Sequence, residues 1–201
     1  DGAAVLDGSL GTLPSSFYDG FSQNDISLWC VRRGYYSLPT TELVAFVREL
    51  IDGAPAVEIG AGHGALGRAL GIPTTDSKMQ DRPELGVHYD RMGQARVAYP
   101  ESVEKLTAME ALEKYRPKVV VGAWVTHRFD ARQPARGGNP YGVDEDKLLE
   151  KPFVQRYVFI GHERVHQHKP ILRHRHATHR LPFLQGRPMD REKHVVWVWD
   201  V

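Results

Sequence analysis

A short apolar run followed by three alternate glycines most constrains how this chain folds. Residues 56–59, Ala-Val-Glu-Ile, have the length and apolar character of a buried strand. Gly60, Gly62 and Gly64 follow, and residues 65–70 form a good helix-forming stretch. Glycines let the backbone approach a ligand closely, and a helix start offers unpaired N–H groups. The sequence therefore predicts an α/β fold with a cradle for a nucleotide-like ligand at this turn.

Size and composition favour one ordinary globular core. The chain has 201 residues, of which 41% are hydrophobic and 25% charged. The formal net charge is +1, so no global charge draws the chain to nucleic acid or to an anionic membrane. No apolar stretch approaches the roughly 20 residues that cross a bilayer, and no charged-then-apolar signal peptide opens the chain. We therefore expect no membrane partner.

The single cysteine, Cys30, bears on compartment and on chemistry. One cysteine excludes an internal disulfide framework and fits a reducing, cytoplasmic location. Cys30 stands between Trp29 and Val31. We expect a buried structural thiol there rather than a catalytic nucleophile.

Glu58 gives the glycine turn a more specific interpretation. In dinucleotide-binding folds the strand before the glycines is usually all apolar, whereas a carboxylate inside a strand needs a cationic or hydrogen-bonding partner. The run Glu-x-Gly-x-Gly-x-Gly at residues 58–64 resembles the first motif of class I S-adenosylmethionine-dependent methyltransferases. The resemblance implies a three-layer Rossmann-like sandwich, with a mostly parallel sheet and an antiparallel C-terminal strand. It also implies S-adenosylmethionine as cofactor, with Glu58 near its amino-acid end and Gly60, Gly62 and Gly64 against it.

The same resemblance implies roles for three further residues. A second strand over 72–75 would place Asp76 at its end to bind the ribose hydroxyls, with Asp81 as the substitute in another register. A carboxylate suits a cis-diol because it offers two acceptors and no donor. Met109 would contact the adenine, at the start of the helix that follows a third strand over 103–106. Tyr36 would close over the cofactor from a position upstream of the first strand.

The sequence predicts that the chain is divided into two parts. Residues 1–34 are expected to form an arm or lid, loosely structured over 1–24, and residues 35–201 the methyltransferase-like domain. Thr40 and Glu42 indicate a helix start, and apolar residues recur at helical spacing through Ile51. The aromatic residues expected to hold the arm on the body are Phe17, Tyr18 and Phe21.

The candidate catalytic residues follow the clearest buried strand, residues 118–123. Ligands of open α/β sheets bind beyond the carboxyl ends of strands. Trp124 is placed to stack on cofactor or substrate, and His127 to act as a general base. Amino-methylating members of the family carry Asn or Asp followed by Pro-Pro and an aromatic residue at this point. This chain has Gly-Ala-Trp-Val instead, which argues against N-methylation of a base or amide, and the partial match at 139–141 is interpreted as a turn.

Histidines dominate the C-terminal part. The run His162-Glu163-x-x-His166 matches the zinc-protease pattern, although it directly follows an apolar strand and Pro170 cuts any helix short. Zinc proteolysis is therefore a remote alternative, and no metal is expected. Residues 173–180 form a basic stripe, either a phosphate contact or a solvated hairpin.

Three functional alternatives remain open from sequence. The chain is expected to transfer a methyl group from S-adenosylmethionine to an unidentified small molecule, protein or nucleic acid. A non-catalytic binding module fits the missing acceptor motif. An NAD-dependent oxidoreductase fits Gly62, Gly64 and Gly67, which also match the dinucleotide pattern.

Overall fold

The computed structural model describes the backbone of Val5–Leu6 and residues 9–201, with side chains from residue 10 onward. The expected arm therefore lies in part outside the described residues. The helices are α1 Gln23–Arg33, α2 Thr41–Ile51, α3 Ala65–Leu70, α4 Pro83–Arg91, α5 Ala108–Tyr115, α6 Glu145–Leu149 and α7 Glu163–His166. The strands are β1 Val5–Leu6, β2 Ser9–Leu10, β3 Ser37–Leu38, β4 Ala56–Ile59, β5 Thr75–Asp76, β6 Glu104–Lys105, β7 Val119–Ala123, β8 Arg156–His162, β9 Ala177–His179, β10 Gln185–Gly186 and β11 His194–Asp200.

A five-stranded mixed sheet forms the centre, in the order β4-β7-β8-β11-β9. The pairs β4–β7 and β7–β8 are parallel, and β11 runs antiparallel to both β8 and β9. A parallel bridge between Glu58 and Thr74 places the parallel pair β5–β6 beside β4. The carboxyl ends of β5, β4, β7 and β8 therefore open along one edge of the sheet.

Helices cover both faces of this sheet. Side chains alternate along a strand, so each strand contributes to two cores. On one face, Val120, Phe159 and Trp197 pack with Ala111 and Leu112 of α5. On the other face, Val121, Ile160 and Val196 pack with residues of α2 and α3, among them Val47 and Leu66. The α/β class predicted from sequence is confirmed.

Predicted helix starts are confirmed by their caps. The Thr40 hydroxyl accepts a hydrogen bond from the Leu43 N–H at 3.1 Å, and α2 follows. Thr107 and Glu110 form a reciprocal capping box at the start of α5. The buried strand predicted over 56–59 coincides with β4, and the helix over 65–70 with α3.

The second strand is shorter and later than predicted. It covers Thr75–Asp76 rather than residues 72–75. Pro73 has no N–H to donate to a ladder, and the Ile72 N–H donates to the carbonyl of Gly67 instead. The third strand likewise shrinks to Glu104–Lys105.

The N-terminal segment is more regular than predicted. Residues Ser15–Gly20 form a 3-10 helix, and Ser22 caps α1 through a capping box with Asp25. The expectation of a loosely structured arm is therefore wrong for residues 15–24. Tyr18 and Cys30 are buried in a cluster that also includes Ala65 of α3, as expected for a structural thiol, whereas Phe21 is half exposed. No helix in the described part of the chain combines the length and apolar character needed to cross a membrane.

Candidate functional site

A cavity of about 270 Å³ lies where β4, β5, β7 and β8 end. This is the edge at which parallel α/β sheets bind ligands. The cavity brings together six of the nine residues selected from sequence: Tyr36, Glu58, Gly60, Gly62, Asp76 and Trp124.

The three glycines of the turn have positive φ, which non-glycine residues adopt at a cost. A Cβ on Gly60 would lie 2.9 Å from Val125, and one on Gly64 would lie 2.7 Å from Val103. A Cβ on Gly62 would instead meet Val97 at 3.6 Å, an ordinary contact. Gly60 and Gly64 therefore serve packing, while Gly62 keeps backbone open to the cavity that it and Val97 line.

Glu58 lies between the sheet and α3. One carboxylate oxygen, Oε2, accepts the Gly67 N–H at 2.9 Å, and the residue is 1% exposed. Burial raises the pKa of Glu58 to about 8, which the hydrogen bond from Gly67 and the charge of Arg68 only partly oppose. The group is therefore poised to become ionised when a cation approaches.

Asp76 ends β5 on the other side of the turn. Its Oδ2 accepts the N–H of Gly62 at 2.9 Å, and its Oδ1 accepts the N–H of Lys78 at 2.7 Å. Burial raises the pKa of Asp76, and these two hydrogen bonds act in the opposite direction. The carboxyl group is fixed against the glycine turn with lone pairs left to accept further hydrogen bonds. Asp81, the substitute considered from sequence, does not line the cavity.

Trp124 forms the opposite wall, and its backbone is strained. It has φ of 60°, in the left-handed region that bulky residues avoid, directly after β7. The backbone N–H of Trp124 donates to the carbonyl of Ile160 at 2.9 Å, which holds this turn on β8. The indole ring lies 6.1 Å from the ring of Tyr36 and 4.9 Å from that of His166, between centroids. Strain of this kind clusters at functional sites.

His166 lines the cavity, a position that the zinc-protease pattern does not predict. His162 ends β8 and Glu163–His166 is a single helical turn, so the two histidines do not share a helix face. The His162 N–H donates to Nδ1 of His166 at 3.0 Å, and Glu163 pairs with Arg180. Burial lowers the pKa of His166 to about 3. Among the described residues no group of three or more His, Cys, Asp or Glu side chains is arranged to hold a metal ion.

Three selected residues do not line this cavity. Gly64 is the N-cap residue of α3. Met109 lies in α5 and packs against the core, beside Leu112. His127 lines a second cavity of about 350 Å³ and donates through Nε2 to the carbonyl of Arg136 at 3.1 Å.

Among the wall residues that sequence reasoning missed are three from one segment: Val97, Tyr89 and Tyr99. All three lie in the polar segment 81–100, to which no element could be assigned. Gln80 holds this segment, because its Oε1 accepts the N–H of Val97 at 2.8 Å. The only available signal was two tyrosines inside a polar stretch that follows the acidic strand end.

The wall of the cavity is aromatic and acidic. Glu58 and Asp76 are the acidic residues, and no Lys or Arg of the described chain lines the cavity. Burial lowers the pKa of His63 to about 3, so this lining imidazole is neutral at physiological pH, as is His166. The aromatic residues are Tyr36, Tyr89, Tyr99, Trp124 and Tyr141.

The basic stripe predicted over 173–180 lies elsewhere and is largely paired. Arg173 and His174 both contact Asp146, and Arg180 contacts Glu163. These contacts favour the interpretation as a solvated hairpin over that of a phosphate site.

No protein-family model matches this sequence, and no curated protein matches it either.

Proposed function

We propose that this protein binds S-adenosylmethionine in the cavity at Gly62 and transfers its methyl group to an acceptor placed against Trp124. The proposal includes a Rossmann-like methyltransferase sandwich and a cytoplasmic location. The observation that carries it is the acidic lining of the cavity: two carboxyl groups flank the glycine turn, and no Lys or Arg of the described chain lines the wall.

This lining favours a cationic ligand, because an approaching cation stabilises the ionised form of a carboxyl group. S-adenosylmethionine carries a sulfonium and an ammonium group, which carboxylates and aromatic faces attract. A dinucleotide would instead bring a negatively charged pyrophosphate towards Glu58 and Asp76. Three cations contact tyrosine rings of the wall: Arg82 lies 4.1 Å from the ring of Tyr141, Arg187 5.2 Å from that of Tyr36, and Lys78 5.9 Å from that of Tyr99. The oxidoreductase alternative is therefore less well supported.

The residues present fit the parts of this cofactor. Asp76 is fixed by two backbone N–H groups and retains acceptor capacity for two ribose hydroxyls. Glu58 would gain its charge in the presence of the cofactor's ammonium group, because a nearby cation lowers the pKa of a buried carboxyl. Gly62 has no side chain, so the cofactor can approach the protein backbone closely at this position. Since Met109 packs in the core, adenine would be held by the aromatic wall of segment 81–100 instead.

Methyl transfer depends mainly on alignment. The cofactor supplies a methyl group bonded to a positively charged sulfur, and the protein orients the acceptor along that bond while excluding water. Trp124 is fixed by its strained backbone and by Ile160, as such positioning requires. A binding module without catalysis would need no such fixed wall.

Thermal melts distinguish the two nucleotide hypotheses. We expect S-adenosylhomocysteine and S-adenosylmethionine at 1 mM to raise the melting temperature by several degrees, since a ligand at 100 times its Kd stabilises by about 2.7 kcal/mol. NAD at the same concentration should leave the temperature unchanged. Stabilisation by NAD alone would contradict the proposal.

A matched pair of glycine variants locates the site. Gly62→Ala should reduce cofactor affinity at least tenfold in calorimetry, because its Cβ would lie beside Val97 in the cavity. Gly71→Ala is the control: it has the same left-handed backbone, with φ of 74°, and no heavy atom within 4 Å of its Cβ. Both variants should lose about 1 kcal/mol of stability from this strain. Equal affinities in the two variants would place the ligand elsewhere.

A further inference from the structure

The acceptor end of the cavity presents an N–H donor that lacks a protein partner. Nδ1 of His166 lies 3.0 Å from the backbone N and 3.2 Å from the backbone O of His162. A buried N–H is rarely left unpaired, whereas a carbonyl tolerates it better. Nδ1 therefore accepts from His162, and the ring hydrogen of the neutral imidazole is on Nε2. No partner to Nε2 exists among the described residues, and His166 lines the cavity.

Trp124 lies beside His166 in the same wall. Its Nε1 is buried and has no hydrogen-bond partner in the described chain, and its ring meets that of His166 edge to face at 4.9 Å. His162 and His194 also carry unpartnered nitrogens, and their rings lie 6.3 and 6.2 Å from that of Trp124, but neither residue lines the cavity. His166 Nε2 is therefore the donor that this wall offers to a ligand atom that accepts a hydrogen bond.

Within the described part of the chain, no general base of the cavity wall lies beside Trp124 and His166. His166 cannot take a proton at Nε2, since that nitrogen already carries one and Nδ1 is occupied by the His162 N–H. Glu58 bonds to α3 on one face of the sheet, whereas His166 contacts Phe159 and Trp197 on the other face. Asp76 lies in β5 against the glycine turn, beyond β4 and about three strand spacings from β8. The acceptor atom must be nucleophilic without help from the protein.

We propose that the methyl acceptor is an aryl thiol, bound as its thiolate with the ring against Trp124 and the sulfur facing Nε2 of His166. This inference rests on the proposed function. An aryl thiol loses its proton to water more readily than an alkyl thiol such as cysteine, whose pKa is about 8.5, so no base is required. A hydrogen bond from His166 stabilises the anion further.

The reaction balances without another reagent. The thiolate forms a bond from its sulfur to the methyl carbon while the bond between that carbon and the sulfonium sulfur breaks. The bonding electron pair stays on the cofactor sulfur, which becomes the neutral thioether of S-adenosylhomocysteine. The thiol proton has already gone to solvent.

Three acceptors that share one ring test the proposal. The full chain is incubated at pH 7.5 with S-adenosylmethionine and thiophenol, phenol or aniline, and the methylated product is measured by mass spectrometry. We expect S-methylation of thiophenol at least tenfold faster than methylation of phenol or aniline. Equal rates, or no thiophenol product while calorimetry shows the cofactor bound, would overturn the aryl-thiol assignment and leave the cofactor proposal standing. Absence of cofactor binding would remove both.

Variants of His166 test the donor. His166→Phe removes the N–H and should raise the KM for thiophenol about tenfold or more, while S-adenosylhomocysteine binding, measured by calorimetry, confirms an intact fold. In His166→Gln the side-chain amide can accept from the His162 N–H and donate to the ligand. The KM for thiophenol in this variant should therefore lie close to the wild-type value. The exposed residue His168, changed to Phe, is the control. An unchanged KM in His166→Phe, or failure of His166→Gln to restore it, would contradict the role of His166.

Discussion

The carboxyl group of Glu58 and the missing side chain of Gly67 depend on each other. A Cβ on Gly67 would lie 2.6 Å from Oε2 of Glu58 and 2.3 Å from a methyl group of Thr74. The glycine therefore leaves space for the carboxyl group and supplies the N–H that it accepts. This pairing explains how a titratable side chain is tolerated inside a strand whose other members are apolar.

The raised pKa of Glu58 predicts a pH dependence of stability. Its pKa is about 8 in the folded protein against an ordinary value of 4.5. The folded state therefore holds the proton more tightly, so this residue's contribution is complete below pH 4.5 and is lost as pH rises towards 8. Between pH 5 and 8 the wild-type protein should lose about 3–4 kcal/mol more of its unfolding free energy than Glu58→Gln. Urea titrations at each pH provide the measurement, and parallel profiles for the two proteins would contradict the assigned pKa.

Two helices with similar sequence signals differ in how their caps are buried. Thr40 is fully buried, and its hydroxyl both accepts from the Leu43 N–H and donates to the carbonyl of Phe183 at 3.1 Å. Thr107 is exposed, and its hydroxyl bonds within the capping box with Glu110. The first cap therefore joins α2 to the C-terminal part of the chain, while the second acts only on α5.

Removal of the two caps should lower the unfolding free energy by different amounts. Thr40→Ala should lower the unfolding free energy by about 2 kcal/mol, since it removes the partner of a buried N–H and that of a partly buried carbonyl. Thr107→Ala should cost about 1 kcal/mol, because water reaches the freed N–H. Chemical denaturation of both variants against wild type checks the order. Equal losses would show that burial of the cap is irrelevant.

At the scale of the whole molecule, one buried ion pair joins three distant segments. Lys169 and Glu145 lie 2.8 Å apart, and each is almost fully buried. Lys169 also donates to the carbonyl of Val125 at 2.8 Å, and Tyr157 donates to Glu145 at 2.8 Å. Burial lowers the pKa of Lys169 and raises that of Glu145, while their mutual attraction opposes both shifts. The pair thus fixes the turn that carries Trp124.

Removing one member of this pair should lower the unfolding free energy far more than removing both. Lys169→Met leaves an unpaired buried carboxyl group and should cost about 3–5 kcal/mol, measured by urea denaturation at pH 7. The double variant Lys169→Met with Glu145→Gln should recover at least half of that loss, because the uncompensated charge is gone. If the double variant is as unstable as the single one, packing rather than charge accounts for the effect.

The sequence by itself determined the local elements whose signals lie within one segment. The apolar run, the glycines and the threonine caps define β4, α2, α3 and α5 with little help from distant residues. Such patterns are local because hydrogen bonding and side-chain periodicity act over a few residues. The residues Glu58, Gly62 and Asp76 were therefore accessible as candidates for one site.

The tertiary structure decided which side chains meet at the cavity. His166, Tyr89 and Tyr99 come from segments with a misleading motif or with none, and Met109 left its expected place for the core. The length of β5 was set by Pro73 and by the contact of Ile72 with Gly67. These outcomes depend on contacts between residues far apart in the chain, and a pattern read within one segment does not contain them.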